Sequence, residues 1–250
     1  MGRGQYIDPM LERALALLPS QCELCRGWDD GLVCRRCRAR HAPVRPRCAR
    51  CGLVLGLAAA ACGACLRAPP PYERTVCALD YGFPWDRLIA DFKFHRRIEL
   101  AMPLADLLGE AIARENDAGE LPLVTAVPLA PARLAERGFN QAWELARRVA
   151  RPRRGPHSRP VLRALPGLLQ RVLETPHQAA LTSAERRRNL RNAFMPAAGA
   201  GRLIAGRRVA LVDDVMTTGA TAHEAAAAVL RAGARSVHLW VLARTPDKTD

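Results

Sequence analysis

Short apolar runs alternate with helical patterns of polar and apolar residues from Thr75 onward. Strands that alternate with helices of this length predict an α/β fold, with a mostly parallel sheet covered by helices on both faces. The predicted strands are Thr75–Tyr81, Leu123–Leu129, Val161–Arg163, Arg208–Val212 and Ser236–Ala243. The predicted helices are Trp85–Phe94, Ile98–Arg114, Phe139–Val149 and Ala220–Arg231.

The run Val209–Val212 is uniformly apolar, which is typical of a central strand covered on both faces. Asp213 and Asp214 follow it directly and are expected at its carboxyl end. Ligands of open α/β sheets bind outside the carboxyl ends of the strands, so both carboxylates are candidate ligand-binding groups. A plainer alternative is that they cap the next helix, which accounts for one carboxylate but not for two.

The segment after the aspartates is rich in hydroxyl groups and contains a glycine. Backbone N–H groups at the start of the next helix, together with threonine hydroxyls, would form an anion nest that suits a phosphate monoester. Two carboxylates beside it would repel a phosphate but accept hydrogen bonds from a vicinal diol, so the predicted ligand is a ribose 5-phosphate. The candidate loop residues are Met216, Thr217, Thr218, Gly219, Ala220 and Thr221.

A second candidate anion-binding segment follows the predicted strand Leu123–Leu129 and precedes a predicted helix. It contains Arg133 and Arg137, whose guanidinium groups are forked donors that match phosphate oxygens. The alternative is an ordinary strand-to-helix loop with solvated arginines.

All nine cysteines lie before residue 78, so composition separates a cysteine-rich head from the remaining body. Eight of them form four CxxC motifs, and two CxxC turns complete the tetrahedral thiolate shell that Zn²⁺ prefers. Two structural zinc sites are therefore predicted. Sequential pairing of the motifs is favoured over interleaved pairing, and disulfides or an iron–sulfur cluster are the alternatives. The candidate ligands are Cys22, Cys25, Cys34, Cys37, Cys48, Cys51, Cys62 and Cys65.

The formal net charge of +14 at pH 7 is carried almost entirely by arginine. Such a charge favours polyanionic partners, although GC-rich coding produces the same bias without a function. No apolar run is long enough to span a membrane, and the N-terminal segment lacks the unbroken apolar core of a signal peptide. A cytoplasmic location is expected, and a reducing compartment favours metal ligation over disulfides.

Three stretches of the sequence resemble a known family. VALVDDVMTTGAT (209–221) closely resembles the phosphoribosyl diphosphate motif of type I phosphoribosyltransferases. VPLAPARLAERGFNQA (127–142) and HQAALTSAERRRNLRNAF (177–194) resemble the ComF family, whose members join a double zinc ribbon to a type I phosphoribosyltransferase domain. The resemblance extends from about Cys22 to Arg244. We accordingly divide the chain into an N-terminal helix over 1–20, a double zinc ribbon over 21–70 and a phosphoribosyltransferase-like domain over 71–250.

The resemblance implies a role for each matching residue. Asp213 and Asp214 would bind the ribose 2- and 3-hydroxyls, and the loop 216–221 would bind the 5-phosphate. Arg133 and Arg137 would lie in the pyrophosphate loop. Mg²⁺ would bind the diphosphate and the ribose hydroxyls, and pyrophosphate would be displaced from the anomeric carbon.

Lys93 is a further candidate for phosphate contact in the family pattern. Gln178, Arg186 and Asn189 match a segment that forms a mobile loop closing over the reaction in related enzymes. The same segment also reads as the polar face of a surface helix.

The predicted function is phosphoribosyl transfer to an unidentified acceptor, linked to DNA uptake and natural transformation through the ComF resemblance. The implied partners are phosphoribosyl diphosphate, single-stranded DNA and proteins of the DNA-uptake machinery. The alternative is a non-catalytic, nucleic-acid-binding competence protein that retains the phosphoribosyl pocket. The basic segment Arg151–Pro160 would suit this alternative, although a solvated loop is the simpler interpretation.

Overall fold

The computed structural model describes residues 19–56, 59–115, 120–151, 161–172 and 193–246. The chain separates into two compact units, Met1–Pro43 and Val44–Asp250. This division falls inside the predicted zinc-ribbon region 21–70, between its second and third CxxC motifs. The predicted N-terminal helix over 1–20 lies outside the described residues except for its last two positions. The described helices include none long and apolar enough to cross a membrane.

The smaller unit is built around its CxxC turns. Strand β1 (Ser20–Gln21) pairs in antiparallel fashion with β2 (Trp28–Asp29), and helix α1 (Arg35–His41) follows. Cys34 caps α1, because its side chain accepts a hydrogen bond from the backbone N–H of Cys37 at 3.3 Å. A CxxC motif therefore also starts the helix.

The larger unit begins with the second pair of CxxC motifs and continues into the sheet. A single antiparallel bridge joins Arg47 to Val54, and α2 (Gly63–Arg67) follows. The next elements are β3 (Arg74–Asp80), α3 (Trp85–Phe94), a short 3-10 helix (Ile98–Leu100), α4 (Ala101–Arg114), β4 (Leu123–Ala126), α5 (Pro131–Arg137), α6 (Gln141–Val149), β5 (Leu169–Arg171), β6 (Phe194–Pro196), α7 (Ala200–Ile204), β7 (Arg208–Met216), α8 (Ala220–Arg231) and β8 (Ser236–Arg244).

Four parallel strands form the main sheet of the described residues, in the order β3-β8-β7-β4. Val209 and Leu211 of β7 pack in one buried cluster with α8 and with the antiparallel pair β5–β6. Successive side chains of a strand point to opposite faces, so the alternate residues face the other layer, where α4 and α6 pack against the sheet. The predicted parallel sheet with helices on both faces is confirmed.

Helix α8 packs closely on the sheet because its buried positions are small. Ala222, Ala225, Ala226 and Val229 are almost fully buried and follow the spacing of one helical face. Alanine also has the highest helix propensity, so local preference and packing favour the same conformation.

One predicted strand is wrong. Residues 161–163 form no strand, and the contact with β4 is a single parallel bridge between Val124 and Ala164. The ladder does not extend, because the N–H of Leu162 donates to the carbonyl of Ala150 at the end of α6 rather than to β4.

Two further elements differ from the sequence pattern. Helix α5 occupies the segment expected to be a loop, starting at Pro131, whose fixed φ suits a first helical turn. Strand β7 continues through Asp213 and Asp214 to Met216, because the ladder with β8 extends that far.

Candidate functional site

The two aspartates lie in the last part of β7, and adjacent strand residues point to opposite faces of the sheet. Their carboxylates are held locally: the N–H of Asp214 donates to Asp213 Oδ1 at 3.0 Å, and the N–H of Val215 donates to Asp214 Oδ1 at 2.6 Å. Lys93 of α3 reaches Asp214, with 3.0 Å between Nζ and Oδ2. The structure therefore places Lys93, a sequence candidate for phosphate contact, directly against Asp214.

The ionisation of Asp213 is set by burial and by its neighbours. Burial, and then the charge of Asp214, raise the pKa of Asp213 to about 7, while Lys93 and Arg171 act in the opposite direction. Protonated and ionised forms are therefore comparably populated near neutral pH. Only the ionised form accepts hydrogen bonds from a diol through both oxygens.

The hydroxyl-rich turn connects the acid pair to α8. Met216 is buried, whereas Thr217 and Thr218 are exposed. Gly219 caps α8 with a φ of 78°, a left-handed conformation that favours glycine, and Thr218 Oγ1 accepts from the N–H of Ala220 at 3.4 Å. The first N–H groups of this twelve-residue helix have no intrahelical acceptor, so the turn is suited to an anion.

Both predicted arginines lie on α5. Arg137 Nη1 donates to Gln141 Oε1 at 3.0 Å, and its guanidinium lies 4.9 Å from the centre of the Phe94 ring. Burial lowers the pKa of Arg137, the Asp214 charge opposes this shift, and Arg133 adds to it. The charge of Arg137 thus interacts with one member of the acid pair and with the second predicted arginine.

Arg171 is a site residue that sequence reasoning missed. It lies at the end of β5, and burial lowers its pKa, followed by the Arg133 charge, with Asp213 acting in the opposite direction. Its guanidinium lies 5.6 Å from the centre of the Phe194 ring. No motif surrounds Arg171, so only tertiary structure could assign it to the site.

In the described part of the chain, Lys93 contacts the acid pair, the charges of Arg137 and Arg171 interact with it, and the charge of Arg133 acts on both of these arginines. Lys93 comes from α3, Arg133 and Arg137 from α5, and Arg171 from β5. The arrangement combines hydrogen-bond acceptors for hydroxyls with positive charge for phosphate oxygens. The mobile-loop candidates Gln178, Arg186 and Asn189 lie outside the described residues.

The eight CxxC cysteines form two separate groups, which we call the first cysteine group (Cys22, Cys25, Cys34 and Cys37) and the second cysteine group (Cys48, Cys51, Cys62 and Cys65). Within each group the four sulfur atoms lie within 4.8 Å of one another, as a tetrahedral thiolate shell requires. The favoured sequential pairing is the one found. Both groups could hold a zinc ion.

In each group, backbone N–H donors stabilise one cysteine in the thiolate form that a metal binds. The N–H of Cys34 donates to Cys22 Sγ at 3.4 Å, and the N–H of Cys62 donates to Cys48 Sγ at 3.2 Å. Burial acts to raise both thiol pKa values, but backbone hydrogen bonds lower the pKa of Cys22 to about 6 and that of Cys48 to about 7. Cys77 is different: burial raises its pKa to about 11, as expected for a small core residue.

Known proteins match the chain over almost its whole length. The DNA utilization protein YhgH of Salmonella typhi is 35% identical over 91% of this chain and 98% of its own length. YhgH of Escherichia coli strain K12 shows the same values. Competence protein F of Haemophilus influenzae is 35% identical over 90% of this chain and 96% of its own length. The chain belongs to the ComF family.

A family model and a solved structure give two further comparisons for this ComF protein. A family model described as phosphoribosyl transferase domain matches residues 161–250, which include the acid pair and the hydroxyl-rich turn. A glutamine phosphoribosylpyrophosphate amidotransferase from B. subtilis, solved with ADP and GMP, is 19% identical, with a TM-score of 0.34 over 62% of this chain and 30% of that chain. The family model and the parallel sheet together identify a phosphoribosyltransferase fold, preceded in this ComF chain by two cysteine groups.

Proposed function

We propose that this ComF protein binds phosphoribosyl diphosphate with Mg²⁺ and transfers the phosphoribosyl group to an acceptor that is still to be identified. One observation carries the proposal. Lys93 contacts Asp214, the charges of Arg137 and Arg171 interact with the acid pair, and the same strand leads through the turn to the amino terminus of α8. This combination suits a ligand that carries a diol, a phosphate and a diphosphate.

Each part of the pocket has a distinct task in the proposal. Ionised Asp213 and Asp214 accept hydrogen bonds from the ribose hydroxyls. The turn 216–219 and the first N–H groups of α8 bind the 5-phosphate. The surrounding cations bind the diphosphate, and Mg²⁺ would offset negative charge on the diphosphate at this acidic pair.

The proposed reaction breaks the bond between the anomeric carbon and the diphosphate oxygen, and a bond from that carbon to the acceptor forms. The electron pair leaves with pyrophosphate, and the ribosyl group becomes cation-like on the way. The chain's residues contribute positioning and charge stabilisation rather than a nucleophile.

The biological setting is proposed from the names of the relatives, which refer to DNA utilization and competence. A second candidate function is therefore a DNA-binding protein that keeps the pocket without catalysis, and the net charge of +14 favours it. Single-stranded DNA binding measured at several salt concentrations separates the two. A steep loss of affinity with salt would indicate several released counterions, and a flat or absent response would count against DNA binding.

The decisive experiment is calorimetric titration of the full chain with phosphoribosyl diphosphate and Mg²⁺. The double variant Asp213→Asn/Asp214→Asn keeps side-chain size while removing both charges and replacing one acceptor oxygen of each carboxylate by a donor. Saturable binding by the wild type that is lost in the variant is the expected result. Equal binding by both proteins, or none by either, would contradict the proposed pocket.

A further inference from the structure

Arg244 joins the second cysteine group to the hydroxyl-rich turn. This buried residue ends β8, and its Nε donates to the carbonyl of Cys51 at 3.1 Å. Its Nη1 donates to the carbonyl of Met216 at 3.1 Å and also contacts the carbonyl of Thr217. One guanidinium therefore holds a metal-binding turn and the candidate phosphate-binding turn at the same time.

The bonds of Arg244 fix the direction of two peptide planes. The N–H and C=O of a trans peptide point in opposite directions. Holding the carbonyls of Met216 and Thr217 therefore directs the N–H groups of Thr217 and Thr218 away from Arg244. These N–H groups belong to the turn proposed to bind the 5-phosphate, so Arg244 determines which side of the turn offers donors.

A second set of bonds attaches the same cysteine group to β3. The N–H of Thr75 donates to the carbonyl of Ala49 at 2.8 Å, and Thr75 Oγ1 donates to the carbonyl of Arg50 at 2.6 Å. Arg50 Nη1 in turn donates to the carbonyl of Tyr72 at 3.1 Å. The Tyr72 hydroxyl lies 3.6 Å from the position that a Cβ on Gly219 would take. This second set of contacts therefore also connects the second cysteine group to the turn 216–219.

Gly52 shows how closely the cysteine group packs on the sheet. A Cβ at this position would lie 3.1 Å from Thr75 Cγ2, 3.2 Å from Cys77 Cβ and 3.9 Å from Met216 Cε. A movement of the Cys51–Gly52 backbone therefore pushes directly on β3 and on the first residue of the turn.

We propose that Arg244 is a positioning residue, through which the metal-loaded second cysteine group holds the turn 216–219 in its phosphate-binding conformation. A metal held by the second cysteine group would order the Cys48–Cys51 turn, and Arg244 and Tyr72 would transmit that order, so that the N–H groups of the turn 216–219 keep their direction. The phosphate-binding role of the turn rests on the function proposed above. The mechanical coupling does not depend on it.

Ligand affinities test the positioning role. Wild type, Arg244→Lys, Cys62→Ser and Cys34→Ser are titrated separately with ribose 5-phosphate and with inorganic pyrophosphate. We expect Arg244→Lys and Cys62→Ser to lose tenfold or more in affinity for ribose 5-phosphate while pyrophosphate affinity changes less than twofold. Cys34→Ser, which removes the equivalent ligand of the first cysteine group, should bind both as the wild type does. Equal losses for both ligands, or a full loss in Cys34→Ser, would overturn the proposal.

Hydrogen exchange tests the coupling without any ligand. Amide exchange of the peptide 213–221 should be faster in Arg244→Lys and Cys62→Ser than in the wild type, and unchanged in Cys34→Ser. The milder variant Thr75→Val removes the hydroxyl bonded to Arg50 and should give a smaller change of the same sign. Unchanged exchange in Cys62→Ser and Thr75→Val would overturn the coupling even if Arg244→Lys does not fold. If the wild type binds neither ligand but exchange responds as expected, the proposed function fails and the coupling stands.

Discussion

The two cysteine groups have the same local construction but belong to different compact units. The N–H of Arg26 donates to the carbonyl of Cys22 at 2.8 Å in the first group, and the N–H of Gly52 donates to the carbonyl of Cys48 at 2.9 Å in the second. Both residues have positive φ, 62° and 70°. Similar candidate metal-binding turns can therefore lie in a small separate unit or form part of a larger core.

The two turns differ in the residue that follows their second cysteine, and this residue reflects whether the turn packs against the sheet. Arg26 tolerates the left-handed conformation on the surface, where its side chain pairs with Glu23. Gly52 occupies the same conformation against Thr75 and Cys77, where a side chain would collide with the sheet. Glycine in the second turn is required by packing as well as by φ.

Loss of metal should have the largest effect on stability, and this effect should differ between the two cysteine groups. Cys62→Ser and Cys34→Ser should each lower the zinc content from two ions to one. We expect Cys62→Ser to destabilise the larger unit by several kcal/mol, because a structural metal contributes directly to folding free energy. Cys34→Ser should leave the unfolding transition of the sheet in place. Zinc analysis with thermal unfolding checks both, and equal unfolding curves for the two variants would contradict the comparison.

Gly52→Ala should give the next largest effect. The added methyl must relieve contacts of 3.1 and 3.2 Å while the residue keeps a positive φ, so the unfolding free energy should fall by about 2 kcal/mol. Gly27→Ala is the matched control in the first group, since its Cβ would lie an ordinary 3.5 Å from Cys25 Sγ. Denaturant unfolding of both variants measures the difference. A neutral Gly52→Ala would mean that the second group does not pack tightly on β3.

A change of pH should alter ligand affinity moderately through the pocket itself, independently of either cysteine group. Since burial and Asp214 raise the pKa of Asp213 to about 7, affinity for phosphoribosyl diphosphate should rise up to about tenfold per pH unit toward pH 7 and then level off. The raised pKa also means that protonated Asp213 stabilises the unbound folded state at low pH. This contribution to the free energy of unfolding is lost as pH rises through 7. Asp213→Asn should lack both dependences. Zinc content measured at each pH is the control, and the same pH slope in Asp213→Asn would exclude Asp213 as the group responsible.

Arg26→Gly should have the smallest effect. It removes an exposed side chain and the cost of a left-handed arginine, so the unfolding free energy should change by less than about 0.5 kcal/mol. Denaturant unfolding and zinc content test this expectation. A large loss of zinc would show that the first cysteine group depends on Arg26, contrary to its exposed position.

The sequence pattern predicted those features that depend on local chemistry. The uniformly apolar Val209–Val212 marked a central strand, and CxxC spacing favoured the sequential pairing that is found. The strand Val161–Arg163 was wrong because apolar character cannot reveal that Leu162 bonds to Ala150. The end of β7 was also missed, since its ladder partner determines how far a strand extends.

The residues that the sequence pattern did not reveal interact with partners that are distant in sequence. Arg171 influences Asp213 from a separate antiparallel pair of strands. Arg244 contacts Cys51 across 193 residues of sequence. No spacing or motif connects such positions, so the role of the second cysteine group could only be inferred from the folded chain.

Native mass spectrometry of the full chain with phosphoribosyl diphosphate and Mg²⁺ tests the central claim most directly, because it counts zinc and ligand in the same ion. Wild-type ions that carry two zinc ions should also carry one phosphoribosyl diphosphate. Ions of Cys34→Ser that carry one zinc ion should keep the ligand, and ions of Cys62→Ser should carry it in a much smaller fraction. Two-zinc wild-type ions without the ligand would contradict the proposed pocket, and a ligand-bound fraction of Cys62→Ser equal to that of the wild type would contradict its connection to the second cysteine group.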